Sequence, residues 1–417
     1  MFEATSAITK RLADRVMQRC DEIAHCSEQP GIITRTFGSP AMHDAYAKIR
    51  AWMEESGMDC RIDAAGNLRG RFNPTVADRT LLIGSHVDSV PNGGCYDGIL
   101  GVLLGLAIVE LALAKKELPH MAIEIISFCE EEGVRFRLPY IGSRALAGDF
   151  DSAHLDITDD EGITLRDALT AFGGAAHELD GVSLKGNPSI VGYLEAHIEQ
   201  GPALEQAGAA LGIVTAIVGQ LRVTVQFGGR AAHAGTVGMD QRQDALAAAA
   251  EWISAVEANA RQCDGLVATV GHIRTEPNVG NVITGRVFLT LDVRHADDEL
   301  RRAAGREMRE AGLQIAKRRG LSFTWDEIGD MASVHTDKSF SDTLAAAVSE
   351  SGVTVRKMVS GAGHDVVALA PTMPTCLLFI RCRGGISHHP DESVEPADVA
   401  IALEVMHNFV RRLGSTR

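Results

Sequence analysis

The chain of 417 residues lacks any paired-cysteine motif. Zinc ribbons need CxxC pairs, and small secreted domains need closely spaced cysteines for a disulfide framework. Neither spacing occurs here, because the eight cysteines are scattered along the chain as Cys20, Cys26, Cys60, Cys95, Cys129, Cys263, Cys376 and Cys382. This pattern is typical of reduced thiols in a cytoplasmic protein.

Long hydrophobic segments are also missing. The longest apolar run, ILGVLLGLAIVELALA, is short for a membrane span and contains Glu110. The N-terminal sequence MFEATSAITKRLADRVMQRC has no apolar core of the kind that a secretory signal requires. We therefore expect no membrane partner, a cytoplasmic location, and a buried helix at the apolar run.

An excess of positive charge is a third feature that the chain lacks. Lys and Arg number 40 against 55 Asp and Glu, which gives a formal net charge of −15. Nucleic-acid binding needs clustered cations, so a nucleic-acid partner is not expected. No motif marks a covalent nucleophile either, since the segment IGSRALAG departs from the G-x-S-x-G pattern.

The chain does contain an alternation of helix and strand patterns in its first half. TLLIGSHV and MAIEIISFC are short apolar strands, separated by the apolar helix from about Asp97 to Ala114. This order predicts an α/β fold with a mixed, mostly parallel sheet and helices on both faces. A chain of this length is also expected to form two domains.

The sequence pattern changes near Ala216. Beyond it, the segments LRVTVQFGG, RVFLTLDVRH and LSFTWDEI are typical of strands, and RQDALAAAAEWISAVEANA is typical of a helix. We expect a compact α+β domain that is inserted into the first domain. The predicted division is a catalytic domain built from 1–215 and 330–417, and an insert at 216–329.

Polar side chains follow several predicted strands, where parallel sheets usually place their sites. His86 and Asp97 flank the glycine-rich turn of GSHVDSVPNGGCYDG, and three glutamates follow the next strand in CEEEGVRF. EAHIEQG contributes His197, and GGISHHP contributes His388. Each motif alone is more often a surface feature. Together they form a mixed histidine and carboxylate set, which suits Zn²⁺ or Mn²⁺.

Six motifs, in this order, resemble the dinuclear metal-dependent amidohydrolases of the M20 peptidase superfamily. They span nearly the whole chain and read GSHVDSVPNGGCYDG, SFCEEEGVRF, EAHIEQG, GGRAAHAGT, NVITGRVFLTLDVR and SGAGHD with GGISHHP. The branch that they resemble most is the hydantoinase/carbamoylase-type amidases. The resemblance implies an enzyme with two divalent metal ions per subunit, Zn²⁺ or Mn²⁺, that hydrolyses C–N bonds other than peptide bonds.

The resemblance also implies roles for single residues of the catalytic domain. Two histidines would bind the first ion, a glutamate and a histidine would bind the second, and an aspartate would bridge both; they are, in this order, His86, His197, Glu132, His388 and Asp97. Glu131 would be the general base. Asp88 would orient the imidazole of His86, a support that metal-binding histidines usually have.

The substrate would be held by residues of both domains. In the insert, which would act as lid and dimerisation domain of a homodimer, His233 would polarise the scissile carbonyl or stabilise its oxyanion. It could do so in its own subunit or in the partner subunit. Asn281 and Arg294 would hold the substrate, and a guanidinium suits the carboxylate of a ureido acid. Gln200 and His364 would line the pocket.

Some residues near the motifs have no implied role. Glu130 and His389 are interpreted as flanking polar residues, and Cys95 as a bystander thiol. The chain also departs from the family where it reads HAGTVGM instead of HAGTTPM, NVITG instead of NVIPG, and has Val134 where serine is common in the carbamoylases. Loss of the two prolines is expected to change loop stiffness rather than chemistry.

The expected substrate is a small ureido acid. RCRGGISHHPDESV and EEEGVRF resemble allantoate amidohydrolases, which predicts conversion of allantoate to ureidoglycine, ammonia and carbon dioxide in purine catabolism. The alternative is an N-carbamoyl-L-amino-acid hydrolase or a β-ureidopropionase, and a dipeptidase-like activity is more distant. A hypothesis of a different class is an inactive metal- or ureide-binding scaffold, which the complete ligand set argues against.

Overall fold

The computed structural model describes residues 7–73 and 78–415. Contacts divide them into two compact units. The first extends to Thr215 and resumes at His335, and the second is Ala216–Val334. The insert, which the sequence predicted to end at residue 329, therefore ends later. The reason is that its last strand continues beyond the segment LSFTWDEI to Met331.

Helices and strands alternate along the chain. The helices are α1 (Ala7–Ala24), α2 (Pro40–Glu55), α3 (Ile99–Lys115), α4 (Ile141–Ala147), α5 (Leu165–Phe172), α6 (Ala203–Gln206), α7 (Ala245–Ala260), α8 (Asp298–Arg319), α9 (Lys338–Glu350), α10 (Val366–Leu369) and α11 (Pro396–Ser415). The strands are β1 (Asp59–Ile62), β2 (Leu68–Phe72), β3 (Thr80–His86), β4 (Ala122–Phe128), β5 (Ile190–Ile198), β6 (Leu211–Ile217), β7 (Gly219–Gly228), β8 (Ala232–His233), β9 (Val267–Glu276), β10 (Val282–Ile283), β11 (Arg286–His295), β12 (Ser322–Met331), β13 (Val334–His335), β14 (Lys357–Ser360) and β15 (Thr375–Ile380).

The first unit is built on a mixed sheet with the strand order β1-β2-β4-β3-β5-β15-β6-β13, and β14 pairs with β6. Its centre is parallel, because β3 pairs in parallel with β4 and β5, and β5 with β15. Every residue of β3 and β4 is buried, so helices and loops cover both faces of the sheet. The α/β fold predicted from the sequence is confirmed.

The apolar run of the sequence forms α3, which is buried on nearly all sides. Its acidic residue, Glu110, does not interrupt this packing, because Arg19 of α1 places a guanidinium nitrogen 2.9 Å from Glu110 Oε1. Helix α3 packs against α1, α11 and the strands β3, β4 and β5. Within the described residues, no helix is both long and apolar enough to cross a membrane.

The second unit has an antiparallel four-stranded sheet in the order β12-β7-β11-β9. From Val287 onwards, residues of β11 alternate between buried and half-buried positions. The buried ones pack with the helices α7 and α8 around Trp252, whose Nε1 donates to the Met308 carbonyl at 2.9 Å. A separate two-stranded ladder joins β8 to β10.

Strand β9 is an element that the sequence analysis left unassigned. It pairs with β11 at an edge of the sheet, and all its residues are exposed or half-buried. A strand without a fully buried face lacks the regular apolar alternation by which strands are recognised in a sequence.

Candidate metal centre

Four adjacent parallel strands of the first unit end at one edge of the sheet and place the predicted metal ligands there. These strands are β4, β3, β5 and β15. His86 is the last residue of β3, and His197 lies one residue before the end of β5. Glu131 and Glu132 follow β4, and His388 follows β15. The sheet therefore gathers side chains that lie far apart in the sequence.

Asp97 reaches this edge from the loop between β3 and α3. The next residue, Gly98, has a φ of +67°, and a Cβ atom there would lie 2.5 Å from the His86 ring. Only glycine combines this backbone conformation with so close an approach to the imidazole. Gly98 thus allows the Asp97 carboxylate, which is only 4% exposed, to face the histidines.

Three side chains form a first group of metal donors: His86, Asp97 and His197. The two Nε2 atoms are 3.4 Å apart, and His197 Nε2 lies 3.2 Å from Asp97 Oδ1. Each Nδ1 lies 2.9 Å from a backbone carbonyl oxygen, of Asp88 and of Ile198 respectively. Because a carbonyl only accepts, the Nδ1 atoms carry the protons and the Nε2 lone pairs face each other. This arrangement fits a bound cation.

Burial and charge act differently on the two imidazoles. Burial lowers the pKa of His86 below its usual value, which favours the neutral ring that binds metals. Burial also acts to lower the pKa of His197, but the hydrogen bond and charge of Asp97 outweigh it and raise that pKa. Asp97 therefore attracts positive charge, whether a proton or a metal ion, to His197.

Asp97 also belongs to a second group of donors, with Glu132 and His388. His388 Nε2 lies 3.2 Å from Asp97 Oδ2 and 3.6 Å from Glu132 Oε1. Both carboxylate oxygens are buried, and neither has a hydrogen-bond partner among the described residues. Buried carboxylate oxygens without partners are costly, and a divalent cation would satisfy both. The two oxygens of Asp97 thus face different donor groups.

Glu131 lies at the same centre. Its Oε2 is 3.9 Å from His86 Nε2, and the side chain is buried. Burial, followed by the nearby Glu132, raises the pKa of Glu131 well above its usual range. His86, Glu131 and Glu132 form a third group of close donors, so Glu131 is near enough either to bind an ion or to exchange a proton there.

Asp88 supports the centre in a different way from the one predicted. His86 Nδ1 donates to the backbone carbonyl of Asp88, whereas the Asp88 carboxylate is 3.7 Å from that nitrogen. The carboxylate instead accepts the backbone N–H groups of Glu131 at 3.2 Å and Glu132 at 3.0 Å. Asp88 thus orients His86 through its main chain and holds the glutamate loop through its side chain.

Glu130 is more than the flanking polar residue that the sequence suggested. It is fully buried, and its Oε1 accepts the backbone N–H groups of Arg135 and Phe136 at 2.8 and 2.9 Å. Burial, followed by the charge of Asp88, raises its pKa to about 8. Glu130 therefore stabilises the turn of the loop that carries Glu131 and Glu132.

His389 and Cys95 lie outside all three donor groups. His389 is exposed, and its Nδ1 accepts the backbone N–H of Asp391 at 3.1 Å. Cys95 Sγ lies 3.6 Å from Asp21 Oδ1 of α1, so the thiol contacts that helix. The interpretation of these two residues as bystanders stays a prediction.

Gln200 and His364, which the sequence placed in the substrate pocket, contact the metal donors. Gln200 Nε2 lies 3.2 Å from Asp97 Oδ1 and 3.3 Å from His388 Nε2. The His364 ring is buried and packs edge-on against the His197 ring, with 4.4 Å between the ring centroids. In this conformation His364 supports His197 from behind and offers no open surface to a substrate.

Three residues at the centre have left-handed backbone conformations. Glu130, Gln200 and His388 have φ angles of 50°, 59° and 54°. Such angles are unfavourable for residues other than glycine and occur where function constrains the chain. The three loops that carry these residues are therefore held in place by the surrounding contacts.

The second unit brings His233 and Asn281 together. Ladder β8–β10 pairs His233 with Val282, and the Asn281 carbonyl accepts the Ala234 N–H at 2.9 Å. Both side chains are exposed. Arg294 lies near the end of β11. His233 and Asn281 lie at the β8–β10 ladder, which precedes the beginning of β11, so Arg294 lies at the other end of that strand. Asp292 holds the Arg294 guanidinium through two hydrogen bonds of 2.9 and 3.1 Å.

The sequence implied no role for two buried carboxylates near the metal donors, although one of them, Glu195, lies in the motif of His197. Glu392 accepts the backbone N–H groups of Tyr96 and Asp97. Glu195 accepts the Ser85 hydroxyl at 3.0 Å and the Val366 N–H at 3.2 Å. These partners lie far away in the chain, and neither the acid in the loop after β15 nor the acid within β5 gives a sequence signal of such contacts.

Comparison with known proteins identifies the family of the chain. The family model described as "Peptidase family M20/M25/M40" matches residues 82–412. An allantoate deiminase from Arabidopsis thaliana is 38% identical over 94% of this chain and 80% of its own length. An N-carbamoyl-L-amino acid amidohydrolase from Geobacillus stearothermophilus is also 38% identical, over 96% of this chain and 98% of its own.

A solved structure supports the same grouping. An amidase of the hydantoinase/carbamoylase family from Burkholderia multivorans superposes with a TM-score of 0.91 at 32% identity. The superposition covers 96% of this chain and 97% of that one. The sequence match and the structural likeness both extend over most of the chain. This protein therefore belongs to peptidase family M20/M25/M40 and is a hydrolase of the hydantoinase/carbamoylase type.

Proposed function

We propose that the protein hydrolyses the ureido C–N bond of a small ureido acid at a two-metal centre, with allantoate as the first candidate substrate. The observation that carries this proposal is the position of Asp97. Its two carboxylate oxygens face separate donor groups, and the additional carboxylate of Glu131 lies beside them. This is the arrangement that a two-metal hydrolase requires.

The two ions would be Zn²⁺ or Mn²⁺, both of which accept histidine and carboxylate ligands. One would be held by His86, Asp97 and His197, and the other by Asp97, Glu132 and His388. When bound, such ions acidify a water molecule and polarise a carbonyl group. The chain itself supplies the remaining functions, which are proton transfer, orientation and stabilisation of the oxyanion.

Glu131 is proposed to move the proton. It would take a proton from the attacking water and return it to the leaving nitrogen, as a general base and then a general acid. Burial supports this role, because a carboxylate with a raised pKa holds a proton more readily at neutral pH. The Glu131 backbone N–H donates to the Asp88 carboxylate, and this hydrogen bond fixes the position of the Glu131 main chain.

His233 and Arg294 are proposed to recognise the substrate. His233 Nδ1 accepts the Gly235 N–H at 3.0 Å, so the ring proton lies on Nε2 and can be donated to an oxyanion. Arg294 would bind the substrate carboxylate, with Asp292 fixing the plane of the guanidinium. Asn281, next to His233, would add a hydrogen bond to the substrate.

The choice of allantoate depends on two stretches of sequence, EEEGVRF and RCRGGISHHPDESV, which resemble allantoate amidohydrolases. The second candidate is N-carbamoyl-L-amino-acid hydrolysis. It is favoured by the similarity to the Geobacillus stearothermophilus enzyme of that name, which equals the similarity to the Arabidopsis thaliana allantoate deiminase. In both reactions the bond that breaks joins a carbamoyl carbon to nitrogen.

Ammonia release tests the proposal. Protein that has been stripped of metal is loaded with Mn²⁺ or Zn²⁺ separately and assayed with allantoate and with N-carbamoyl-L-amino acids. Release from allantoate is expected to be faster. Release from carbamoyl amino acids alone would overturn the choice of allantoate, and no release from either would overturn the hydrolase proposal as stated.

We further propose a homodimer that associates through the second unit, and a cytoplasmic location. The eight cysteines are free thiols in the structure, which suits a reducing compartment. Sedimentation of the purified protein would test the assembly, and a monomer at assay concentration would overturn it.

A further inference from the structure

Glu392 bridges two loops that carry metal donors. Its Oε1 accepts the backbone N–H groups of Tyr96 at 2.8 Å and Asp97 at 3.0 Å. Its Oε2 accepts the Ser387 hydroxyl at 3.0 Å. The side chain is 4% exposed, so water cannot easily replace these contacts. The carboxylate thus joins the loop of Asp97 to the loop of His388.

The bridge continues through Ser387 to a third loop. Gln200 Nε2 donates to Ser387 Oγ at 3.1 Å, and the same nitrogen lies 3.2 Å from Asp97 Oδ1. The path Asp97–Glu392–Ser387–Gln200 therefore closes on itself. Each member restrains the others, because moving one loop breaks contacts to the other two.

Gly94 provides the space for this carboxylate. A Cβ atom on Gly94 would overlap all three atoms of the Glu392 carboxyl group. The φ angle of Gly94 is not in the left-handed region, so the requirement for glycine here is one of space. The glycine pair before Cys95 is thus explained in part by a residue almost three hundred positions later.

Glu392 is not itself a metal donor in this structure. None of the donor groups found among the described residues includes it, and its oxygens accept hydrogen bonds from the protein. It can therefore affect an ion only through the residues that it holds. It holds the backbone of Asp97 directly and acts on His388 through the neighbouring Ser387. Both residues belong to the second donor group, and Asp97 belongs to the first as well.

We propose that Glu392 is a positioning residue that fixes the distance between Asp97 and His388 and thereby sets the affinity for the second metal ion. This inference rests on the proposed metal-dependent function. Partners that orient metal ligands typically contribute about 10- to 100-fold in metal affinity or activity. A loss of that size is expected when the bridge is broken.

Calorimetric titration of metal-free protein with Mn²⁺ tests the inference. Glu392→Ala removes the bridge, Ser387→Ala breaks only its link to the His388 loop, and Gly94→Ala displaces the carboxylate. Each should weaken binding of the second Mn²⁺ by about 10- to 100-fold. Because Asp97 also belongs to the first donor group, binding of the first Mn²⁺ should weaken less in Glu392→Ala and Gly94→Ala and stay nearly unchanged in Ser387→Ala. The activity of Ser387→Ala should be low at limiting Mn²⁺ and should recover at saturating Mn²⁺, where its kcat should lie closer to the wild-type value.

The matched control is Asp398→Ala. Asp398 is also a buried carboxylate that is bonded at 2.8 Å, but its partner is the side chain of Arg381, directly after β15, rather than a group beside a metal donor. This variant should bind both Mn²⁺ ions like wild type. Thermal unfolding of every variant checks that it is folded, and Ser387→Ala carries the test if Glu392→Ala does not fold.

Unchanged affinity for the second Mn²⁺ in folded Glu392 and Ser387 variants would overturn the inference. An equal loss of both ions would also overturn it, because that result describes a general structural role. These outcomes can be distinguished from failure of the proposed function, because in that case the wild-type protein itself would bind no Mn²⁺ or release no ammonia.

Discussion

His86 and His197 owe their orientation to their own sequence neighbours. Their Nδ1 atoms donate to the carbonyls of Asp88 and Ile198, which lie within two positions of each histidine. The motifs SHVD and AHIE therefore contain both a proposed metal ligand and the group that orients it. Each Nε2 atom is prepared as a metal ligand by local structure alone.

Substitution of Glu131 separates metal binding from proton transfer. Glu131→Gln preserves the size of the side chain but removes the carboxylate that accepts a proton. We expect turnover to fall by about 10²- to 10⁴-fold, the usual contribution of a general base. Metal content, measured by elemental analysis after gel filtration, should stay at the wild-type level. A variant with wild-type turnover would contradict the proposed role.

Asp88→Asn tests which atoms of that residue support the centre. Asparagine retains the backbone carbonyl that orients His86, but it offers only one oxygen to the N–H groups of Glu131 and Glu132. We therefore expect about 10- to 100-fold weaker binding at the Glu132 site and little change at the His86 site.

His197→Ala provides the reference for a defect at the His86 site. The stepwise affinities of both variants can be measured by the same Mn²⁺ titration. If Asp88→Asn behaved like His197→Ala, the Asp88 carboxylate would have to act on His86, as the sequence had suggested.

At the scale of elements, buried parallel strands deliver the ligands, and the loops after them set the distances. Strands β3 and β4 were recognised in the sequence as apolar runs, and the residues at their ends were recognised as candidates. The loop conformations were not predicted, because left-handed residues such as Gln200 and His388 give no periodic signal. Strand β9 was missed for a related reason, the absence of a buried face.

Helix α11 contacts the segment after α3 through a buried histidine. His407 Nε2 lies 3.1 Å from Glu117 Oε2, and His407 is 5% exposed. Burial lowers the pKa of His407 below its usual value of 6.5, and the hydrogen bond to Glu117 only partly opposes this effect. The folded chain therefore favours the neutral imidazole.

This pKa predicts a loss of stability in acid. Because the unfolded chain binds the proton more readily, the free energy of unfolding should fall as the pH drops below 6.5 towards the folded-state pKa. His407→Gln can still donate to Glu117 but cannot titrate. In urea unfolding, this variant should lose less stability than wild type between about pH 7.5 and about pH 5.5.

The control for this prediction is His177→Gln, since the His177 side chain is 82% exposed. It should lose as much stability in acid as wild type does. If His407→Gln showed the same loss as wild type, the buried imidazole would not be a source of the acid sensitivity.

At the scale of the whole molecule, the open question from the sequence is which subunit supplies His233. Mixing two inactive variants in the proposed dimer answers it. His233→Ala and Glu131→Gln subunits are mixed under conditions that exchange subunits. If His233 acts in the partner's site, half of the dimers are mixed and have one intact site, so about a quarter of wild-type activity should return.

No activity should return if His233 acts in its own subunit, because every site then lacks one of the two residues. The control is a His233→Ala, Glu131→Gln double variant, which should restore no activity with either single variant. Native mass spectrometry of the mixture verifies that mixed dimers form.

Sequence patterns alone were sufficient for the fold class and the family, and they predict the residue types of the candidate metal centre. These follow from short-range patterns, namely apolar strands, the motifs after them, and the histidines with nearby carbonyls. Only the tertiary structure decided how Glu392, Glu130 and the Asp88 carboxylate are used. Their partners are backbone N–H groups, which every residue except proline carries and which no sequence motif can distinguish. Which backbone N–H groups a carboxylate accepts is decided only when the folded chain brings a particular loop within about 3 Å of it.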